Sequence, residues 1–232
     1  MPAPRMLIVA GPSGGGKSSL FPIFKTEIDA FSTDLRAASL LGEAIGAGRP
    51  VWLPEPEHVA RYMGFRQQAG REMERFIDDH IDRRRSFAFE TTVREVTFEQ
   101  TRRATHNGFR VEMIFVVGGD AKEHAERVAE RGVRGGHISS EAALFDIYER
   151  SLNMLRRAFE ENKRKNIEVL AVYDNPRTPV NEQPRPSLVV EMVRGSVAQI
   201  RDRCPAWFHA AVRGTQFEFR RLQEHARDDF EL

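Results

Sequence analysis

The stretch "MLIVAGPSGGGKSS", Met6 to Ser19, decides the fold. Met6 to Ala10 is a short unbroken apolar run that stops at glycine and proline, the pattern of a strand buried on both faces. Gly11 to Ser18 then fits G-x-x-x-x-G-K-[ST] at every position. "KSSLFPIFKTEI", Lys17 to Ile28, continues in a helical pattern that Pro22 limits or kinks. Strand, glycine loop and helix in this order form a cradle for phosphate. Glycines let the backbone wrap closely and point several N–H groups inward. The start of the following helix adds its positive dipole end. Gly11, Pro12, Ser13, Gly14, Gly15, Gly16, Lys17, Ser18 and Ser19 are therefore the candidates for holding a nucleoside triphosphate. Lys17 supplies a point charge, and the Ser18 hydroxyl is a candidate Mg²⁺ ligand. The rival dinucleotide pattern G-x-G-x-x-G fails, because Ser19 stands at its third glycine position.

Outward from the loop, strand-like and helix-like segments alternate about five times. The apolar or alternating runs are Asp29–Asp34, "SFAFETT" (Ser86–Thr92), "FRVEMIFVVGG" (Phe109–Gly119) and "IEVLAVYDN" (Ile167–Asn175). Between them lie amphipathic helices over about Val59–Arg84, Val96–His106 and Glu141–Lys165. The prediction is an α/β, three-layer P-loop NTPase fold of nucleotide-kinase type, with a mostly parallel five-stranded sheet. Residues 1–178 make the main domain. A proline-rich segment and a C-terminal extension, 179–232, follow, packed on or flanking the core. "LVVEMV" is a candidate edge strand, and the part from about Ser196 reads as helical.

Composition narrows the function. In 232 residues, 41% are hydrophobic and 30% charged, which fits a globular chain with a busy surface. A net charge of +1 argues against a dedicated nucleic-acid binder. A lone cysteine, Cys204, excludes an intramolecular disulfide and suits a reducing compartment. No apolar run approaches a membrane span, and the N-terminus lacks a signal-peptide pattern, so the expected location is the cytoplasm.

Three further sites carry charge at a structural boundary. Asp34 follows a strand on the carboxyl side of a parallel sheet, where ligands bind, and could take a proton from a substrate hydroxyl. It could equally cap the helix that follows. Glu90, ending an otherwise buried strand, could hold Mg²⁺ through water or a substrate hydroxyl, or simply be solvated. "AERGVRGGHISSE", Ala129 to Glu141, sets Arg131 and Arg134 among glycines, as a closing lid would need. Gly135 and Gly136 are candidate hinges. Arg150 lies nearly opposite an apolar stripe, facing either water or the phosphates.

"AGPSGGGKSSL", "FSTDLRA", "AGREM", "SFAFETT", "RVAERGVRGGHIS", "YERS" and "VYDN", in this order, resemble the zeta toxin family of P-loop kinases. The likeness runs over about residues 5 to 178. It implies an ATP-dependent small-molecule kinase whose substrate is a sugar nucleotide, UDP-N-acetylglucosamine in the family. By motif position, Lys17 and Ser18 would bind ATP and Mg²⁺, and Asp34 would be the base. Glu90 and Thr91 would contact the sugar nucleotide, and Arg134 and Arg150 would stabilise phosphate. Asp174 and Asn175 would sit near the adenine. His137 matches the motif, with a loop-fixing hydrogen bond as its default role. A small helical antitoxin is the implied partner. Two other readings stay open: a polynucleotide-end or antibiotic kinase, the former favoured by a basic groove of Arg83, Arg84, Arg85, Arg102 and Arg103, and a nucleotide-gated interaction module.

Overall fold

The computed structural model describes residues 2–52, 56–133, 140–177 and 186–218, without the side chains at 56 and 131–133. Its strands are β1 (Arg5–Ala10), β2 (Asp29–Ser32), β3 (Phe87–Thr91), β4 (Arg110–Val117), β5 (Val169–Asp174), β6 (Ser187–Val193) and β7 (Ser196–Ile200). They form one sheet in the order β2-β3-β1-β4-β5-β6-β7. The first five strands are parallel, while β6 and β7 join antiparallel. The helices are α1 (Lys17–Leu20), α2 (Thr33–Ala44), α3 (Val59–Asp82), α4 (Glu95–His106), α5 (Ala121–Val133), α6 (Glu141–Lys163) and α7 (Ala206–Val212). None of the described helices is long and apolar enough to cross a membrane.

The expected five-stranded parallel sheet is present, but it is extended to seven strands. Ser187–Val193 is not an edge strand, because β7 pairs with its outer side. Ser196–Ile200, expected to be helical, is a strand. Arg194 and Gly195 have φ of 50° and 90°, and Val193 pairs with Ser196 across them. A two-residue turn with both φ positive has the twist that joins antiparallel strands. Helix begins only at Ala206, after Pro205. The helix after the glycine loop is also shorter than its pattern. It stops after one turn at Phe21 (φ −128°, ψ 71°), because the residue before a proline is pushed out of helical space. A 3₁₀ turn, Ile23–Lys25, follows.

The main core covers one face of the sheet. Phe87 and Phe89 of β3, Met6 and Ile8 of β1, and Met113 and Phe115 of β4 pack there with α3, α4, α6 and α7. Ala88, Leu7 and Val9 point to the other face, where Phe21, Ile23 and Ile28 cover them. That second layer is thin, so Glu112 and Ile114 of β4 stay partly exposed. The described part of the extension, 186–218, does not stand apart from the sheet. Val190 and Met192 of β6 and Trp207 and Phe208 of α7 belong to the same core.

Phe208 is fully buried, with its ring 6.2 Å from that of Phe159. Phe208→Ala should lower unfolding stability by about 3–5 kcal/mol, the usual loss for a buried aromatic. Urea unfolding should keep a single transition. A separate early transition, unaffected in the main domain, would show that the extension folds independently.

Candidate functional site

Parallel strands send their carboxyl ends to one side, and that side carries the site. Register pairs Ala10 with Thr91 and Ser32 with Glu90, so the ends of β1, β2 and β3 are neighbours. A cleft of about 660 Å³ opens there. Its walls are the glycine loop, Asp34 at the start of α2, Arg66 and Arg71 of α3, Glu90 to Thr92 after β3, and Arg127 of α5.

The glycine loop is built by close approach. Gly14 and Gly16 have φ of 84° and 92°, which favour glycine. A Cβ at Gly14 would lie 2.6 Å from the His124 carbonyl oxygen, and one at Gly16 would lie 2.3 Å from Asn175 Nδ2. Four of the loop carbonyls have side-chain partners. Gly11 and Pro12 carbonyls accept from Lys17 Nζ at 2.9 and 3.0 Å. The Ser13 carbonyl meets His124 Nδ1 at 2.9 Å, and the Gly15 carbonyl accepts from Asn175 Nδ2 at 3.0 Å. The helix after the loop, α1, is one turn long. A single turn sums few peptide dipoles.

Two carboxylates flank the loop. The Ser18 hydroxyl donates to Glu90, at 2.9 Å from Oε1 and 3.1 Å from Oε2. A hydroxyl and a carboxylate so placed are hard oxygen donors, the set that Mg²⁺ takes together with phosphate oxygens. These residues therefore fit that ion. Asp34 is not the helix cap. Ser32 is, its hydroxyl accepting from Leu35 N–H, and Asp34 stands in the first turn. That frees the Asp34 carboxylate to line the cleft, half-exposed and 3.3 Å from Arg66 Nη2. Thr91 lines the cleft as well, and its hydroxyl accepts from Val93 N–H at 3.1 Å.

Other candidates lie elsewhere. Arg134 and His137 fall outside the described residues, as do the hinge candidates Gly135 and Gly136. Arg150 is exposed and turned to Asp146, one helical turn away, and is not among the residues lining the cleft. Asp174 and Asn175 stand behind the loop. Asp174 is buried and accepts from Trp207 Nε1 at 3.0 Å, with Arg201 3.6 Å from its other oxygen. Asn175 braces the Gly15 carbonyl. The arginines of the supposed basic groove are largely neutralised: Arg83 and Arg85 pair with Asp79, and Arg103 with Asp78 and Asp82. None of the five lines the cleft.

Sequence reasoning missed His124 and Arg127. Arg127 lines the cleft and donates to the Asn175 carbonyl at 2.8 Å. It sits one helical turn before Arg131, in a segment dense with charge, where nothing local distinguishes it. His124 is 1% exposed. At helical spacing with Val128, it reads as an ordinary core position.

No protein-family model matches the chain, and no curated protein matches it in sequence. Solved structures do match. A chain of the AvrRxo1-ORF1:AvrRxo1-ORF2 complex with sulphate ions aligns with a TM-score of 0.59 and 13% identity, over 84% of this chain and 60% of that one. A chain from the PezAT chromosomal toxin–antitoxin system of Streptococcus pneumoniae aligns with a TM-score of 0.51 and 16% identity, over 75% of this chain and 68% of that one. Fold and loop thus define the class: a mixed α/β chain of the P-loop fold. Within that class it shares its fold with the AvrRxo1-ORF1:AvrRxo1-ORF2 and PezAT chains.

Burial holds the His124 pKa down from 6.5 to about 4, helped by the Arg127 and Lys17 charges and opposed by the Ser13 carbonyl and Asp120. Between these values the unfolded chain takes up a proton that the folded chain refuses. The stability contribution is whole above about pH 6.5 and is lost as pH falls towards about 4, by roughly 3 kcal/mol in total. Urea unfolding at several pH values should therefore show a decline over this window that is flatter in His124→Asn. An equal decline in both proteins would show that His124 does not titrate in this way.

Proposed function

We propose that the chain is an ATP-dependent kinase that phosphorylates a hydroxyl of a small molecule, a sugar nucleotide such as UDP-N-acetylglucosamine. The observation that carries this is the meeting of Lys17, Ser18, Glu90 and Asp34 in one cleft. A structural neighbour, the AvrRxo1-ORF1:-ORF2 complex solved with ATP, supports nucleotide use, with a TM-score of 0.59 and 13% identity. The zeta-toxin-like motifs support the choice of substrate.

In this reaction the substrate oxygen attacks the γ-phosphorus as the bond from that phosphorus to the β–γ bridging oxygen breaks, and ADP leaves. Asp34 takes the hydroxyl proton. Arg66, paired with Asp34, keeps the carboxylate aimed into the cleft. Lys17 leaves the Gly11 and Pro12 carbonyls for the β- and γ-phosphates. Ser18 and Glu90 would hold Mg²⁺, which when bound neutralises charge on the phosphate oxygens. Thr91 adjoins Glu90 on the substrate side. Arg134 and Arg150 are the phosphate-stabilising arginines by motif, and Arg150 would have to leave Asp146 to serve. Arg127 already lines the cleft and is a further candidate for that role. A toxin role with a small helical antitoxin as partner is the corresponding biological proposal. The PezAT neighbour belongs to a toxin–antitoxin system.

The test mixes the protein with ATP, Mg²⁺ and UDP-N-acetylglucosamine and seeks the phosphorylated sugar nucleotide by mass spectrometry. Asp34→Asn should lower kcat on the order of 10²- to 10⁴-fold, the usual contribution of a general base. Full transfer by that variant would remove Asp34 from the role. Expression of the wild-type protein should arrest growth, and expression of Lys17→Ala should not. Growth unaffected by either would overturn the toxin role.

A further inference from the structure

A loop that holds an anion by its backbone must turn N–H groups into the cleft and carbonyls away from it. In a trans peptide, the carbonyl of one residue and the N–H of the next point in opposite directions. The described peptides are all trans. Fixing the Ser13 carbonyl therefore fixes the direction of the Gly14 N–H.

The group that fixes it is His124. Its ring bridges two backbones, Ser13 of the loop at Nδ1 and Gly118 after β4 at Nε2, each at 2.9 Å. Gly118 offers an N–H, so Nε2 must be the acceptor and the proton must sit on Nδ1. That tautomer is the one able to donate to the Ser13 carbonyl. The ring is itself held. Tyr148 packs edge-on at 5.0 Å, and its hydroxyl donates to the Gly119 carbonyl at 2.9 Å. Arg127 of α5 and Lys17 of α1 oppose a charged imidazole, whereas Asp120 favours one. Gly14 lines the cleft and His124 does not.

We propose that His124 is a positioning residue of the phosphate loop, which by holding the Ser13 carbonyl aims the Gly14 N–H at a bound phosphate. This rests on the nucleotide-binding reading above. A histidine that merely filled space would tolerate any replacement of similar size. A histidine that aims a peptide requires a donor at the Nδ1 position.

Two variants separate these cases. Asn carries its amide where Nδ1 stands, so His124→Asn keeps the donor and gives up the Gly118 bond. Gln reaches to the Nε2 position, so His124→Gln keeps that bond and gives up the donor. ATP binding is measured by calorimetry, with Tm measured in parallel. His124→Asn should bind within about threefold of wild type, and His124→Gln at least tenfold more weakly (about 1.4 kcal/mol), with similar falls in Tm. Equal affinities in the two variants, or a weaker His124→Asn, would overturn the proposal. Wild-type protein gives a second readout that needs no variant. The ¹⁵N shifts of the His124 ring should report the Nδ1–H tautomer at neutral pH, and an Nε2–H tautomer would sink the idea. A wild-type protein that binds no ATP overturns the nucleotide reading together with this one. Wild-type binding with equal losses in both variants overturns this one alone.

Discussion

The backbone of an anion-binding loop has to satisfy two demands at once. Its amides must stay available to the ligand, while its carbonyls need donors on the protein side. In this chain Lys17 donates to the Gly11 and Pro12 carbonyls, His124 meets the Ser13 carbonyl, and Asn175 donates to the Gly15 carbonyl. The three side chains come from the loop's own helix, from α5 and from the end of β5. The loop therefore depends on elements that sit more than a hundred residues away, and the rest of the site is arranged around it.

The parallel sheet supplies that arrangement. Strands running in one direction bring Ala10, Ser32 and Glu90 to a common edge, and the turns that follow place Ser18 against Glu90 and Asp34 beside Arg66. The two carboxylates have different neighbours. Glu90 faces the Ser18 hydroxyl, which suits a metal-holding role. Asp34 faces a guanidinium across an open cleft, which suits a proton acceptor kept in place by its partner.

The extension reaches the same edge from behind. Trp207 of α7 and Arg201 hold Asp174, whose neighbour Asn175 holds the Gly15 carbonyl. A run of contacts thus joins the last described helix to the glycine loop. The hairpin β6–β7 makes this possible, because it returns the chain along the sheet before α7 packs onto the main core.

The glycine loop, the five parallel strands and the helices that connect them were legible in the sequence, because each rests on local periodicity or on a fixed spacing. Phe87 and Phe89 lie on one face of β3 and Ala88 on the other, as the period of two in a strand requires. Asp34 and Glu90 were readable as boundary charges, though the choice of Ser32 as the helix cap was not, since either residue can cap. The tertiary structure alone decided the strand at Ser196, the standing of Asp174 and Asn175 behind the loop, the turning of Arg150 to Asp146, and the involvement of His124 and Arg127. Each of these depends on which distant backbone lies opposite. A buried histidine that clamps two segments carries the same local signature as one that only fills a core, and only the packed chain distinguishes them.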